Sequence, residues 1–252
     1  MDNKTGTYTK PISCMSINLQ KSKVATLEAG RHKESVLFMT EPYQVGGKVK
    51  LIDESHGSVY SAGAPGGVRS ALRISRDLQP WLAPEFTDED MCTALIQIKS
   101  QRVYVSSVYL DILLPSRKER LLKLIDYCNA NSTPLVFCAD SNAHSSMWGC
   151  KETNKRGEEL EALIINQDLT VMNEGEEPTF KTVRAESIID ITVMNRFALQ
   201  CLCMSSWYVD SRPSFSDHRY ISFDMGQYEP GERWHRNWKK SRLESVLQPC
   251  KH

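Results

Sequence analysis

Apolar and β-branched residues gather in short runs divided by polar breaks: Ile12 to Ile17, Ser35 to Met39, Ala94 to Ile98, Val103 to Leu110, Leu135 to Cys138, Ile188 to Val193 and Tyr220 to Phe223. Runs of this length and composition predict strands. Two other stretches repeat apolar residues at helical spacing. Arg117 to Asn131 places Leu121, Leu124, Ile125 and Cys128 on one face, and Glu158 to Asn166 does the same with Leu160, Leu163 and Ile164. Both predict amphipathic helices. Thr93 to Leu110 holds two alternating runs around the polar break Lys99 to Arg102, which predicts an antiparallel hairpin. Strands outnumber helices, and each helix has one apolar face to cover a sheet. An α/β architecture of two packed sheets flanked by helices follows.

Composition narrows the class without choosing a function. The 252 residues suffice for one large sandwich domain or two small ones, and 40% hydrophobic with 25% charged residues describes an ordinary globular chain. No apolar stretch approaches the ~20 residues of a membrane span, and the polar start Met1 to Lys10 lacks the apolar run of a signal peptide. A soluble intracellular chain without a membrane partner is expected. Eight scattered cysteines with no CxxC pair predict reduced thiols. The 31 basic and 31 acidic side chains cancel, so a nucleic-acid partner would need a local basic patch. The stretch Ala62 to Gly67 lacks a following GK[ST] and reads as a surface loop, not a nucleotide cradle.

Candidate chemistry sits at strand ends. Leu135 to Asp140 is an apolar run ending in a carboxylate, with the carboxamide of Asn142 two residues on. An acid beside an amide can handle a proton and hold a phosphate oxygen or a water; a strand-terminating Asx turn is the plainer alternative. Val36 to Glu41 is a second apolar run ending in a carboxylate, stopped by Pro42. No EF-hand loop or Cys/His zinc cluster is present, whereas magnesium is commonly held by one or two carboxylates completed by water and phosphate. Asp190 stands among Ile188, Ile189 and Ile191, where a charge is costly unless paired. A half-exposed strand would relieve that cost; so would a histidine, and Ser216-Asp217-His218 supplies one. Asn18 closes the first predicted strand and Tyr109 the fourth; alone, each would be a turn former or a sheet-edge aromatic.

In order, Asn18, Glu41, Tyr109, Asp140-Ser-Asn142, Asp190 and Ser216-Asp217-His218 resemble the signature of the endonuclease/exonuclease/phosphatase superfamily, which includes DNase I, apurinic endonucleases and retrotransposon endonucleases. The resemblance runs from Pro11 to Phe223. Finer features resemble the endonuclease domain of non-LTR retrotransposons: Asn18 to Thr26, Glu41-Pro-Tyr43, Asp140 to His144 with Trp148-Gly149, Arg156-Gly157-Glu158, and Pro178-Thr179-Phe180. Gln20 departs from the superfamily pattern, which often has an acid or asparagine there. His144 and Trp148 are not general superfamily residues and read as a stapled loop.

The resemblance implies a four-layer α/β/β/α, DNase I-like sandwich with mixed sheets, and divides the chain into a flexible segment 1–10, an endonuclease domain 11–227 and a basic aromatic linker 228–252 toward a reverse transcriptase. It implies Mg2+, with Mn2+ as a substitute, held by Glu41 with Asn18 and Asp217 near its outer shell. Asn142 and His218 would grip the phosphate, Asp140 would activate water, Asp190 would orient His218, and Tyr109 would donate to a phosphate oxygen or lie by the leaving group. Thr179 and Ser216 would contact DNA, with Lys181 and Arg184 on a groove-touching hairpin over Lys181 to Ser187. Expected partners are a double-stranded DNA target and the linked reverse transcriptase, expected location the nucleus, expected outcome a nick whose 3'-OH primes reverse transcription. The same core also serves abasic-site nucleases, inositol-phosphate phosphatases and sphingomyelinases, or an inactive binding module.

Overall fold

The computed structural model describes residues 11–63, 67–111 and 119–227. Both expected terminal segments, the centre of the Ala62 to Gly67 loop and the first residues of the predicted 117–131 helix lie outside them. The chain begins with strand β1 (Ile12–Asn18), helix α1 (Lys23–Arg31), β2 (Val36–Thr40), a small hairpin β3 (Gln44–Val45) and β4 (Lys48–Val49), then β5 (Ser58–Tyr60) and β6 (Ser70–Ile74). Next come β7 (Trp81–Leu82), β8 (Met91–Ile98), β9 (Gln101–Tyr109), α2 (Glu119–Ala130), β10 (Leu135–Asp140) and α3 (Lys155–Asn166). The last part holds β11 (Leu169–Val171), a second hairpin β12 (Phe180–Lys181) and β13 (Glu186–Ser187), β14 (Asp190–Asn195), α4 (Arg196–Cys201), β15 (Leu202–Val209) and β16 (Ile221–Gln227).

Twelve of these strands build two six-stranded sheets, ordered β15-β16-β1-β2-β6-β5 and β11-β14-β10-β9-β8-β7. Each is mixed: β1 runs parallel to β2 and antiparallel to β16, while β10 runs parallel to β9 and antiparallel to β14. Alternation assigns the faces. Cys14, Phe38, Leu72 and Ile74 meet Cys92, Ala94, Val105, Val136 and Cys138 between the sheets. Their neighbours in sequence point outward: Met15, Ile17, Leu37 and Met39 lie under Ala25 and Ala29 of α1, and Leu135, Phe137 and Ala139 under Leu121, Leu124 and Ile125 of α2 and Leu160 and Ile164 of α3. A strand buried on both faces must be apolar throughout, which is why β2 and β10 are continuous apolar runs. The layers are helix, sheet, sheet, helix.

Four differences from the sequence reading have local causes. Helix α1 presents only Ala25, Thr26, Ala29 and Gly30 to the sheet and leaves Val24 and Leu27 exposed, so its apolar pattern points away from its packed face. Strand β6 carries a fully buried Arg73, whose guanidinium donates to the carbonyls of Gly30 and Glu34. Strand β15 is interrupted by a bulge between Ser205 and Tyr208, which breaks the two-residue alternation. Helix α3 also begins three residues before the predicted Glu158, because the side chain of Asn154 accepts from the Gly157 N–H and caps it. Among the described residues all seven cysteines are free thiols, and no helix is long and apolar enough to cross a membrane.

Candidate active site

Parallel strands share their carboxyl ends, and register brings two such pairs to one edge of the sandwich. Asn18 stands beside Thr40, and Tyr109 beside Asp140. Asp140 in turn pairs with Asp190, because β14 runs antiparallel and therefore starts where β10 stops. Asp190 is thus the first residue of its strand, not an interior one as its apolar surroundings suggested. The resulting cleft is lined by Asn18, Gln20, Glu41, Tyr109, Asp140, Asn142, His144, Phe180, Ser187, Ile189 and His218.

At its floor Asp140 is buried, with Oδ2 accepting from Asn18 Nδ2 at 2.7 Å and Oδ1 from the Asn142 N–H at 3.2 Å. Burial, reinforced by the charge of Asp190 and opposed by His218 and Asn18, pushes its carboxyl up to about 7. Asn18 Nδ2 also lies 3.4 Å from Glu41 Oε2, so one carboxamide spans both acids. Glu41 follows β2 in a left-handed conformation (φ 47°), its N–H donating to Arg69 O at 2.8 Å and its carboxylate 3.4 Å from Lys21 Nζ.

His218 Nδ1 donates to Asp190 Oδ2 at 2.8 Å, both residues being buried. Burial alone would lower the imidazole; the charge and hydrogen bond of Asp190, with Asp140 and Glu41 beyond, outweigh it and raise His218 to about 9. Phe180 closes one side of the ring edge-on at 5.0 Å between centroids. With Nδ1 committed to Asp190, Nε2 is left to serve the cleft. Tyr109 keeps its proton to about 12, first through burial and then through the charges of Glu41 and Asp140.

Two sets of donors could take a cation. Asp140, Asp190 and His218 bring ligand atoms within 4.8 Å of one another. In that set Nδ1 of His218 and Oδ2 of Asp190 already engage each other at 2.8 Å. Glu41 instead offers a part-exposed carboxylate beside the carboxamide of Asn18, an oxygen-donor set suited to a hard cation such as Mg2+.

The remaining predicted residues are placed as follows. Asn142 lines the cleft, but not by continuing β10: it turns left-handed (φ 48°) and its Nδ2 donates to Leu110 O at 3.3 Å. Asp217 is exposed and outside the cleft lining, its carboxylate accepting from Gln20 Nε2 at 3.1 Å. Ser216 Oγ donates to Asn18 O at 2.8 Å, so Gln20 and Ser216 latch the 216–217 segment to the end of β1. Thr179 does not reach the surface: it is fully buried, and its Oγ1 accepts from the N–H groups of Ile189 and Asp190 at 3.1 Å each. Lys181 and Arg184 lie on the β12–β13 hairpin, where Lys181 pairs with Glu186 at 3.1 Å. Lys181 therefore brings less local positive charge than its identity suggested, while Arg184 is exposed near the fully exposed Val183.

The motif after Asp140 divides differently from its sequence reading. Trp148 is the staple, its Nε1 donating to Ala143 O and Ile188 O at 3.3 and 3.1 Å. His144 is not: its N–H donates to Asn154 Oδ1 and its O accepts from Asn154 N–H, which clamps the backbone and leaves the side chain on the cleft wall. Arg156, quoted in the motif without a role, donates to Ser141 O at 2.9 Å and Leu110 O at 2.6 Å, tying together the chain just after Asp140 and just after Tyr109. Gly157 passes so close that an added Cβ would lie 1.8 Å from His144 O. Gly157→Ala is expected to destabilise the protein by about 3 kcal/mol, as overpacking against fixed backbone does. Thermal unfolding of the variant reads this directly, and an unchanged midpoint would contradict so close an approach.

The family model for endonuclease–reverse transcriptases matches residues 103–222, the stretch carrying Tyr109, Asp140, Asp190 and His218. Among solved structures, the endonuclease domain of TRAS1, a telomere-specific non-LTR retrotransposon, is 27% identical, with a TM-score of 0.71 over 85% of this chain and 98% of that one. The AP endonuclease LMAP from Leishmania major (11% identity, TM-score 0.65, 86% of this chain and 88% of that one) and D. rerio TDP2 complexed with single-strand DNA product (12%, 0.60, 86% and 100%) share the fold. No curated protein matches in sequence. The four layers and the strand-end site are thus those of the DNase I-like endonuclease/exonuclease/phosphatase fold, residues 103–222 match the endonuclease–reverse transcriptase family model, and the chain is similar to a retrotransposon endonuclease domain.

Proposed function

We propose that this cleft hydrolyses a phosphodiester of double-stranded DNA with a divalent metal, leaving a nick whose 3'-OH primes reverse transcription of a non-LTR retrotransposon. The observation that carries the reading is the convergence of the Glu41–Asn18–Asp140 chain and the Asp190–His218 pair on one cleft. Glu41 and Asn18 would hold Mg2+, or Mn2+ in its place, with Asp217 near the outer shell. When bound, the ion neutralises charge on the phosphate and its leaving oxygen.

The protein's own groups divide the rest. Asp140, titrating near 7, accepts a proton from the attacking water at neutral pH, while Asn18 and Asn142 fix its two oxygens. His218, cationic to about 9, meets a phosphate oxygen through Nε2 while Asp190 holds the ring in place. Tyr109 stays a neutral phenol and donates a hydrogen bond to the phosphate. Asn142 adds its amide to the phosphate grip once released from Leu110 O. Arg184, Lys181 and Ser216 supply surface contacts to the duplex, and buried Thr179 acts on DNA only through the placing of Asp190. Residues 228–252 would link the domain to a reverse transcriptase, and the reaction would take place in the nucleus.

Cleavage of supercoiled plasmid tests this reading through the chemistry of its ends. Nicks on undamaged DNA should be extended by a polymerase without prior phosphatase treatment, the mark of a 3'-OH. Cleavage confined to abasic sites would point to a repair nuclease, and metal-independent binding without cleavage to an inactive module.

A further inference from the structure

Behind Tyr109, away from the groups already given roles, stands a single guanidinium. Arg69 lies between the described 67–68 segment and β6, its Cζ 4.9 Å from the centroid of the Tyr109 ring. Nη2 donates to Asp90 Oδ2 at 2.7 Å, Nε meets the other oxygen of Asp90, and Nη1 donates to Asp111. Two carboxylates in the plane of the fork thus fix its orientation and present its face to the ring, an arrangement a lysine ammonium cannot reproduce. The braces belong to the same neighbourhood: Asp90 O accepts the Tyr109 N–H at 2.8 Å, and Asp111 is two residues beyond Tyr109. The carbonyl of Arg69 also accepts the Glu41 N–H at 2.8 Å. One residue therefore touches both the main chain at Glu41 and the ring of Tyr109, two residues that line the cleft.

We propose that Arg69 is a positioning residue of the reaction: its guanidinium, braced by Asp90 and Asp111, fixes the Tyr109 ring so that the phenol meets the phosphate. The proposal rests on the nuclease reading above. Direct capture of a DNA phosphate by Arg69 is disfavoured, because its donors are engaged by two aspartates and its side chain is only 21% exposed.

A double-mutant cycle with the full chain tests it, measuring plasmid nicking by the wild type, Arg69→Met, Tyr109→Phe and the double variant, with melting temperatures alongside. Arg69→Met should lower kcat by about 10- to 100-fold, the scale on which loss of exact placement acts, with little change in KM. In the Tyr109→Phe background the same change should cost no more than about twofold, the range within which effects count as independent noise. Arg69→Lys, which keeps the charge and loses the plane, should recover little. Equal losses in both backgrounds would make Arg69 a merely structural residue, and a raised KM with a shallower salt dependence would make it a phosphate contact; either overturns the proposal. If Arg69→Met does not fold, Asp111→Asn loosens one brace while the Asp90 pair persists, and it should show the same dependence on the Tyr109 hydroxyl. A folded wild type that nicks no DNA removes the nuclease reading itself, a different result from additive losses in an active enzyme.

Discussion

Asp140→Asn is expected to reduce DNA nicking by about 10³-fold or more, within the range and beyond for loss of a positioned acid–base group, while the protein stays at least as stable as the wild type above pH 7. The change preserves size and removes the ability to take a proton, together with the negative charge and one acceptor oxygen. Its stability consequence follows from the same burial. A carboxyl raised to about 7 binds its proton more tightly folded than unfolded, so the wild type loses stability as pH climbs from its ordinary value toward 7. Asparagine carries no such charge. It also relieves the repulsion between Asp140 and Asp190, while Asn18 Nδ2 and the Asn142 N–H compete for its single oxygen. Melting curves at pH 5 and pH 8 should therefore converge or cross between the two proteins as pH rises. Retained turnover in a folded Asp140→Asn variant would remove the residue as base.

Asp190→Asn should narrow the pH range of activity from its alkaline side. In the wild type the rate rises as Asp140 deprotonates near 7 and falls as His218 loses its proton near 9, giving a plateau between. Burial is the largest influence on His218 and acts to lower it; the charge and hydrogen bond of Asp190 are what overcome it. Without them the buried imidazole becomes neutral at lower pH, so the alkaline limb moves down; the acidic limb moves down less, because Asp190 acts on Asp140 by charge alone and burial is the larger influence there. At pH 8 a loss of about 10²-fold or more is expected, the scale of a misoriented or wrongly protonated catalytic group. The pH dependence of kcat for both proteins is the check, and an alkaline limb that stays near 9 would mean that another group carries it.

The legible parts of this protein were those where one physical demand acted alone. Strands β2 and β10 are buried on both faces, so they are apolar throughout and conspicuous in sequence, as are the carboxylates Glu41 and Asp140 that follow or end them. Helices α2 and α3 bury one face of large residues and show the matching period. Asp190 drew notice because a charge among isoleucines needs a partner, and His218 is that partner. Elements shaped by two demands were obscured: α1 turns alanine and glycine to its sheet, and β6 buries Arg73 for the sake of carbonyls on neighbouring segments. The supporting residues were the least legible. Arg69 and Arg156 contact ring faces and carbonyls far away in sequence, so these contacts depend on the fold; Arg156 stands in a recognisable motif, but nothing local says what it touches. Thr179 is the reverse case: its motif marks it in the sequence, and in the fold it is buried and holds the backbone at Ile189 and Asp190.

Relaxation of supercoiled plasmid by the purified chain, with Mg2+ and again with a chelator in excess, tests the central claim most directly. The account predicts nicked circles in Mg2+, none with the chelator, and restored cleavage when Mg2+ or Mn2+ is added back. Nicking that persists undiminished in the chelator, or a folded chain that leaves the plasmid intact in both metals, would contradict it.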